Sequence, residues 1–162
     1  MHIRPALLPD DADALWAILE PTIRAGETYA LPREMSRQRA LDYWFADRHE
    51  VLLADEDGRV LGTYFLRPNQ QAGGAHVANC AYMTAAWAVG RGVARAMCAD
   101  SLQRARQRGF TAMQFNFVVS TNERAIKLWQ SFGFAIVGRL PSAFQHPTDG
   151  CVDALVMYQS LS

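Results

Sequence analysis

The spacing of apolar positions along this chain predicts eleven secondary-structure elements. Runs rich in β-branched and aromatic residues, such as "VLLADEDGRVLGTYFLRP" and "CVDALVMYQSL", are typical of strands, whereas apolar residues three or four positions apart indicate helices. The clearest helix is "GRGVARAMCADSLQRARQRGF", with an apolar stripe formed by Ala94, Met97, Cys98, Ser101, Leu102 and Ala105. The predicted order is β-α-α-β-β-β-α-β-α-β-β. This order indicates an α/β (α+β) fold with a mixed central sheet of about seven strands and helices on both faces.

Local patterns predict where some of these elements begin and end. Asp57-Gly58 lies between two strand-like runs and is a strong signal for a β-hairpin. Ser120 followed by Glu123 predicts a capping box at the start of the last helix. The stretch from Pro141 to Gly150 is predicted to be a loop between the last two strands. Because the chain contains no repeat, low-complexity tract or linker, residues 1–162 are predicted to form a single domain.

Composition narrows the class of partner. The chain has 16 Lys and Arg against 16 Asp and Glu, a formal net charge of zero, and this balance argues against nucleic acid or an anionic membrane as the partner. Its cysteines are odd in number and far apart, which favours reduced thiols over a disulfide framework. The chain lacks a signal-like start and an apolar run of membrane-spanning length. We therefore expect a cytoplasmic protein with a small-molecule partner.

A glycine-rich turn follows the fourth predicted strand, in "WAVGRGVARAM". Gly90 and Gly92 bracket Arg91 where a helix begins, so several backbone N–H groups at a positive helix end carry no obstructing side chain. Such a site suits a phosphate or diphosphate, although a tight strand-to-helix connection would also need glycine. The turn matches neither a Walker loop nor a Rossmann fingerprint.

Together with the order of elements, two motifs resemble the GNAT superfamily of acetyl-CoA-dependent N-acetyltransferases. The turn of that family has the form Arg/Gln-x-x-Gly-x-Gly/Ala, and the matching residues are Val89, Gly90, Arg91, Gly92, Val93 and Ala94. A later signature, Asn-x-x-Ala-x-x-aromatic-x-x-x-Gly-Phe, is matched by Asn122, Ala125, Trp129, Gly133 and Phe134. The two motifs cover roughly the last half of the chain. Val89 departs from the pattern, because the family usually has Arg or Gln there.

The resemblance implies a GNAT fold and acetyl-CoA as the acetyl donor. It implies that the backbone amides of residues 90 to 95, from Gly90 to Arg95, hold the CoA diphosphate, with Val89 at the edge of that site. Met83 and Thr84, at the splayed end of the fourth strand, would pair with pantetheine. Asn122 would hydrogen-bond the pantetheine arm. Many members dimerise through their late strands, so a homodimer is possible by the same resemblance.

The usual acid and base of the family are missing. Many members place a Glu on the fourth strand and a Tyr on the last helix, but this strand offers His76, Asn79 and Tyr82, and the helix has Trp129. Asn cannot take up a proton and Trp is only a donor. We therefore expect a water molecule to deprotonate the amine, which would attack the thioester directly in a ternary complex.

A finer resemblance concerns the acceptor. "ANCAYM", "FNFVVSTN" and "LWQSFGF" followed by "GRLP" resemble the fungal branch that acts on proline analogues such as azetidine-2-carboxylate. By that resemblance Asn79 and Asn116 line the acceptor pocket, Tyr82 and Trp129 are its aromatic walls, and Leu31 is a third wall. Asn79, Asn116 and Asn122 are thus the candidate catalytic residues.

Each of these residues also has a structural explanation. Asn116, predicted by strand alternation to share a face with Gln114 and Val118, is equally typical of a satisfied buried amide, and Asn122 is equally typical of a helix cap. Glu27, His76 and His146 are weaker candidates for a base. Glu27 and His146 are more typical of surface loops, and His76 lies near the start of the fourth strand, far from the expected position of the thioester. His76 and Cys80 have no further metal-ligating residues nearby, so no metal site is expected.

Two other functions remain open at the level of sequence. One is acetylation of a different amine, such as an antibiotic, a polyamine or a protein N-terminus. The other is a non-catalytic acyl-CoA-binding sensor, which the missing Glu and Tyr would fit.

Overall fold

A computed structural model describes residues 1–162 as one seven-stranded sheet carrying four helices. The strands are β1 (His2–Pro5), β2 (Glu50–Glu56), β3 (Arg59–Pro68), β4 (Val77–Thr84), β5 (Ala112–Val119), β6 (Ala135–His146) and β7 (Gly150–Ser160). The helices are α1 (Ala12–Ala25), α2 (Arg37–Trp44), α3 (Val93–Gln107) and α4 (Glu123–Ser131). The predicted order of elements and the mixed sheet are confirmed. None of the helices is long and apolar enough to span a membrane.

The sheet opens in its middle. Its strand order is β1-β2-β3-β4-β5-β7-β6, and every neighbouring pair is antiparallel except β4 and β5. These two parallel strands pair only at their starts, where Val77 lies opposite Ala112 and Ala78 lies opposite Met113. Beyond Ala78 the strands diverge, which leaves main-chain groups of β4 without a strand partner on that side.

The two faces of the sheet carry different helices. On one face, the Trp44 ring of α2 packs edge-on against Phe65 of β3, with 4.8 Å between ring centroids. On the other face, the neighbouring Tyr64 donates its hydroxyl hydrogen bond to Asp100 of α3. Because side chains alternate along a strand, these contacts assign every residue of β3 and its paired strands to the α1–α2 face or to the α3–α4 face.

The hairpin between β2 and β3 is confirmed. Asp57 and Gly58 have φ values of 54° and 82°, the left-handed conformations that a tight two-residue hairpin turn requires. The Asp55 carboxylate accepts a hydrogen bond from the Gly58 N–H at 2.8 Å, which holds the turn closed.

The predicted loop from Pro141 to Gly150 is wrong for most of its length. Strand β6 continues to His146 and pairs with β7, with Phe144 opposite Val152. An irregularity in the pairing between Leu140 and Phe144 contains Pro141, which has no N–H to donate to a ladder. Proline is compatible with an irregular stretch of an edge strand, so it does not end this one.

A bulge in β5 overturns part of the predicted alternation. Phe115 lies opposite Met157 and Val118 lies opposite Leu155, so β5 has one extra residue between these pairs. Val118 therefore shares a face with Phe115 and not with Asn116, contrary to the prediction. The extra residue re-aims the end of β5 beside the opening in the sheet.

Candidate active site

A cavity of about 900 Å³ lies where β4 and β5 diverge, and it is lined from both faces of the sheet. No Asp or Glu lines it. The charged residues of its wall are all basic: Arg67, Arg95, Arg124 and Lys127. Its charge therefore favours anionic or neutral ligands over polycations.

At one end of the cavity, the first turn of α3 presents unpaired amides. Gly90 and Gly92 have φ values of 85° and 78°, and no atom lies within 4 Å of the position that a Cβ of Gly92 would take. The first backbone hydrogen bond of α3 runs from the Ala96 N–H to the Gly92 carbonyl at 3.0 Å. The amides from Gly92 to Arg95 have no backbone acceptor. These amides and the nearby guanidinium of Arg124 fit the CoA diphosphate implied by the resemblance.

Most of the predicted cofactor residues line this cavity. They are Met83, Thr84, Val89, Gly90, Gly92, Val93, Ala94, Arg95 and Asn122. Arg91 does not: its guanidinium pairs with Glu56, and its backbone N–H donates to the Ala88 carbonyl at 3.3 Å. The structure thus brings all of the predicted set together except Arg91, whose position in the motif does not bring its side chain to the cavity.

Asn122 is the N-cap of α4. Its Oδ1 accepts a hydrogen bond from the Ala125 N–H at 3.4 Å, while its Nδ2 makes no hydrogen bond within the protein. The predicted capping box is therefore wrong, because the helix begins one residue after Asn122 and Ser120 lies outside it. The cap leaves the amide N–H groups of Asn122 free to donate into the cavity, so both interpretations of this residue are compatible.

A chain of amide side chains lies on the α1–α2 face. Buried Asn79 donates its Nδ2 hydrogen bond to the Gln114 carbonyl at 2.8 Å, which ties β4 to β5 just beyond their last paired residues. Gln114 Nε2 donates to Asn116 Oδ1 at 2.9 Å, and Asn116 Nδ2 donates to Asn69 Oδ1 at 2.7 Å. Asn69 belongs to no recognisable motif, and no local sequence signal predicts its place in this chain.

The predicted aromatic walls lie on the opposite face of the sheet from these amides. Tyr82 and Trp129 pack together with 4.9 Å between ring centroids, and the Tyr82 hydroxyl is 2.7 Å from the hydroxyl of Ser101 on α3. Asn79 and Tyr82 are three residues apart on one strand, so their side chains point to opposite faces. All four predicted residues line the cavity, but they do not form a single box.

Other aromatic side chains accompany the amides. They are Tyr29, Tyr43 and Phe65, which line the cavity together with the predicted Leu31. Tyr29 and Leu31 come from the loop between α1 and α2, where the sequence has no periodic pattern. Only their position beside β3 and β4 identifies these rings as part of the site.

The Tyr29 hydroxyl occupies the open edge of β4. It accepts a hydrogen bond from the Tyr82 N–H at 3.0 Å and donates to the Tyr82 carbonyl at 2.7 Å. Burial raises the pKa of Tyr29, so its phenol is neutral at neutral pH. One side chain thus satisfies both main-chain groups that β5 leaves unpaired at this point.

No titratable group of the cavity is set up as a base or nucleophile. The Cys80 thiol lines the cavity, but burial raises its pKa and keeps it protonated at neutral pH. Glu27 and His76 are exposed, His146 lies beside Asp149, and none of the three lines the cavity. The geometry therefore favours a reaction in which no side chain of the wall is covalently modified.

Comparison with known proteins identifies the family. Residues 13–134 match the model of the Acetyltransferase (GNAT) family. The chain is 42% identical to a GCN5-related N-acetyltransferase from Kribbella flavida, with a TM-score of 0.92 over 98% of this chain and 96% of that one. It is 25% identical to the N-acetyltransferase aca1 of Schizosaccharomyces pombe, over 83% of this chain and 72% of the relative.

A third comparison concerns the fold. The putative acetyltransferase yncA from Salmonella typhimurium, whose structure contains acetyl-CoA, is 22% identical to this chain. Its TM-score is 0.86, and the match covers all of this chain and 94% of the other.

The family match covers most of the chain and includes the glycine turn and the diverging strands. The chain therefore belongs to the GNAT family of acetyltransferases and is an N-acetyltransferase that uses acetyl-CoA as the acetyl donor.

Proposed function

We propose that this enzyme acetylates the amino or imino group of a small molecule, with amino acids and proline analogues as the first candidates. The observation that carries the proposal is the amide chain on the α1–α2 face of a cavity that has no acidic wall residue. Amides bind polar groups without adding charge, and the rings of Tyr29, Tyr43 and Phe65 suit a compact apolar body. The similarity to a fungal N-acetyltransferase agrees with the fungal branch resemblance of the sequence.

In this proposal each face of the sheet binds one of the two substrates. Bound acetyl-CoA supplies a thioester carbon that a neutral amine can attack. The amides at the start of α3 and the Nδ2 group of Asn122 hold the donor from the α3–α4 face. Asn79 and Asn116 orient the acceptor from the α1–α2 face, and the Tyr82 N–H, which donates to the Tyr29 hydroxyl, lies in the gap between β4 and β5. Because Cys80 stays protonated, transfer proceeds directly and not through an acyl-cysteine.

The absence of a base from the cavity wall predicts a steep pH dependence. An alkyl amine with a pKa near 10 is neutral in only about one molecule in a thousand at pH 7. We expect kcat/KM for the acceptor to rise about tenfold per pH unit from about pH 6 to about pH 9. The pKa values of Tyr29 and Tyr82 are raised by burial, so neither phenol titrates in this range. A plateau that begins near neutral pH would instead indicate a protein base.

The test of the function is release of free CoA thiol from acetyl-CoA in the presence of single amines. The panel contains azetidine-2-carboxylate, hydroxyprolines, ordinary amino acids, a polyamine and a peptide with a free N-terminus. A cyclic imino acid or an amino acid that exceeds the other amines supports the proposal. Preferential turnover of the polyamine or the peptide contradicts it.

A non-catalytic acyl-CoA sensor, the other function that the sequence leaves open, is disfavoured by the family match, although the usual Glu of the fourth strand and Tyr of the last helix are both missing. Thermal protection by CoA with no thiol release from any amine would favour it. Polyamine acetylation is less compatible with the site, since a polycation would meet only basic side chains in the cavity wall.

We also propose that the enzyme is a cytoplasmic homodimer. Strand β6 is a sheet edge, and it exposes Ile136, Val137 and Leu140 to solvent. Burial of this edge against a second copy would remove that apolar surface from water. A solution mass corresponding to one chain at micromolar concentration would contradict the dimer. Three free cysteines are typical of a reducing compartment.

A further inference from the structure

Arg67 of β3 is the only cation of the cavity wall on the α1–α2 face. It is half-buried, and its Nε is buried without a hydrogen-bond partner. It forms no salt bridge, whereas Arg4, Arg104, Arg108 and Arg139 each pair with one or two carboxylates. A buried guanidinium nitrogen with no partner is costly, so its retention calls for an explanation.

No acid of the protein is placed to pair with it. The cavity wall contains neither Asp nor Glu. Glu50 lines a second, smaller cavity together with Arg67, but its carboxylate pairs with Arg104 at 3.4 Å and with Arg108 at 2.8 Å. The partner of Arg67 is therefore not supplied by the chain itself.

Arg67 stands beside the amide chain. It lies directly opposite Asn79 across the antiparallel pair of β3 and β4, so the two side chains share a face and are close neighbours. Asn69, two residues further on, accepts a hydrogen bond from Asn116. A planar guanidinium next to amide N–H donors is well suited to a carboxylate, which accepts several hydrogen bonds at once.

We propose that Arg67 binds the carboxylate of the acceptor, so that the substrates are amino or imino acids with a free carboxylate. The inference rests on the proposed small-molecule acetyltransferase function and specifies its substrate class. Arg67 pairs with the negative charge of the carboxylate, and the neighbouring amide side chains orient the same carboxylate. The three other basic residues of the wall, Arg95, Arg124 and Lys127, belong to α3 and α4 and therefore to the donor side.

The experiment compares acceptors that differ only in this group. Proline, leucine and phenylalanine are each paired with the corresponding amino-acid amide, and kcat/KM is measured by thiol release and expressed per concentration of neutral amine, because the two members of a pair differ in amine pKa. The wild type is expected to prefer the carboxylate of a pair by about 10- to 100-fold, the range of one or two charge-assisted hydrogen bonds. Arg67→Gln is expected to lose that preference, because kcat/KM should fall for the amino acid and not for its amide. The KM for acetyl-CoA should be unchanged. Arg67→Lys should retain part of the preference.

Arg139→Gln is the matched control, because Arg139 lies on β6 and pairs with Asp153 outside the cavity. It should leave the preference intact. An equal loss for acids and amides in Arg67→Gln would assign the residue a structural role and overturn the proposal. Equal use of acids and amides by the wild type would overturn it as well.

Calorimetric binding of the same pairs to CoA-saturated protein separates this inference from the proposed function. Turnover of amines without a carboxylate preference leaves the function standing and overturns the role of Arg67. Carboxylate binding that depends on Arg67, in a protein that turns over no amine, supports the subsite and contradicts the function. If neither binding nor turnover is seen with any pair, both are wrong.

Discussion

Replacement of Gly92 by valine is expected to raise the KM for acetyl-CoA by more than about tenfold, a loss of roughly 1.4 kcal/mol or more in donor binding. Gly92 has a φ of 78° and borders the open end of the cavity. A β-branched side chain disfavours this left-handed conformation by about 1–2 kcal/mol and would fill space that the unpaired amides of the first turn of α3 now face. Steady-state kinetics with varied acetyl-CoA measures the effect.

Gly109→Val is the control for the backbone strain alone. Gly109 follows the other end of α3, has a φ of 83° and also has open space where a Cβ would lie. Both variants should lose similar thermal stability, but only Gly92→Val should change the KM for acetyl-CoA. Equal changes of KM in the two variants would show that the effect comes from strain in α3, and the diphosphate assignment would then be wrong.

The second large effect is expected for Asn116→Ala, which should lower kcat/KM for the acceptor by about 10- to 100-fold. The substitution removes a side chain that receives a hydrogen bond from Gln114 and donates one to Asn69, so it leaves both partners unsatisfied beside the proposed acceptor site. The KM for acetyl-CoA should change less than about twofold, because Asn116 lies on the α1–α2 face. Kinetics with each substrate varied in turn measures both values.

Asn122→Ala provides the reciprocal control. It should weaken acetyl-CoA binding and cost about 1 kcal/mol of stability through loss of the α4 cap, while the KM for the acceptor stays within about twofold. If Asn116→Ala affects only the acceptor and Asn122→Ala affects only acetyl-CoA, the result supports separate donor and acceptor sides. If both variants lose only thermal stability and keep their kinetic constants, the two amides are structural core residues.

The predictions from local patterns succeeded where short-range chemistry controls the backbone. Asp57-Gly58 forms the tight turn because both residues tolerate positive φ, and the apolar stripe of α3 is buried as predicted except at Ala94, which is half-buried. The predictions failed where pairing with a distant strand overrides a local signal. Pro141 does not stop β6, since β7 continues to pair with it, and the bulge in β5 turns Val118 to the other face.

The proposed acceptor side could be predicted only in part from the sequence. The resemblance to a known family singled out Asn79 and Asn116, but it grouped them with Tyr82 and Trp129, which the structure puts across the sheet. The alternation of side chains along β4 is sufficient to place Asn79 and Tyr82 on opposite faces of the sheet. The position of Trp129 required the packing of α4 against the sheet, where its ring contacts Tyr82 of β4, an element far from α4 in the chain.

By itself, the amino-acid sequence determined the fold class, the order of elements and the glycine turn, because periodicity and turn residues act over a few positions. Only the tertiary structure decided which isolated polar side chains meet. Tyr29 and Arg67 belong to no motif, yet both line one cavity because β3, β4 and β5 lie side by side and the last two diverge. Asn69 joins the same site through the hydrogen bond that it accepts from Asn116. The physical reason is that long-range strand pairing sets the distances between these side chains, and no short stretch of sequence encodes it.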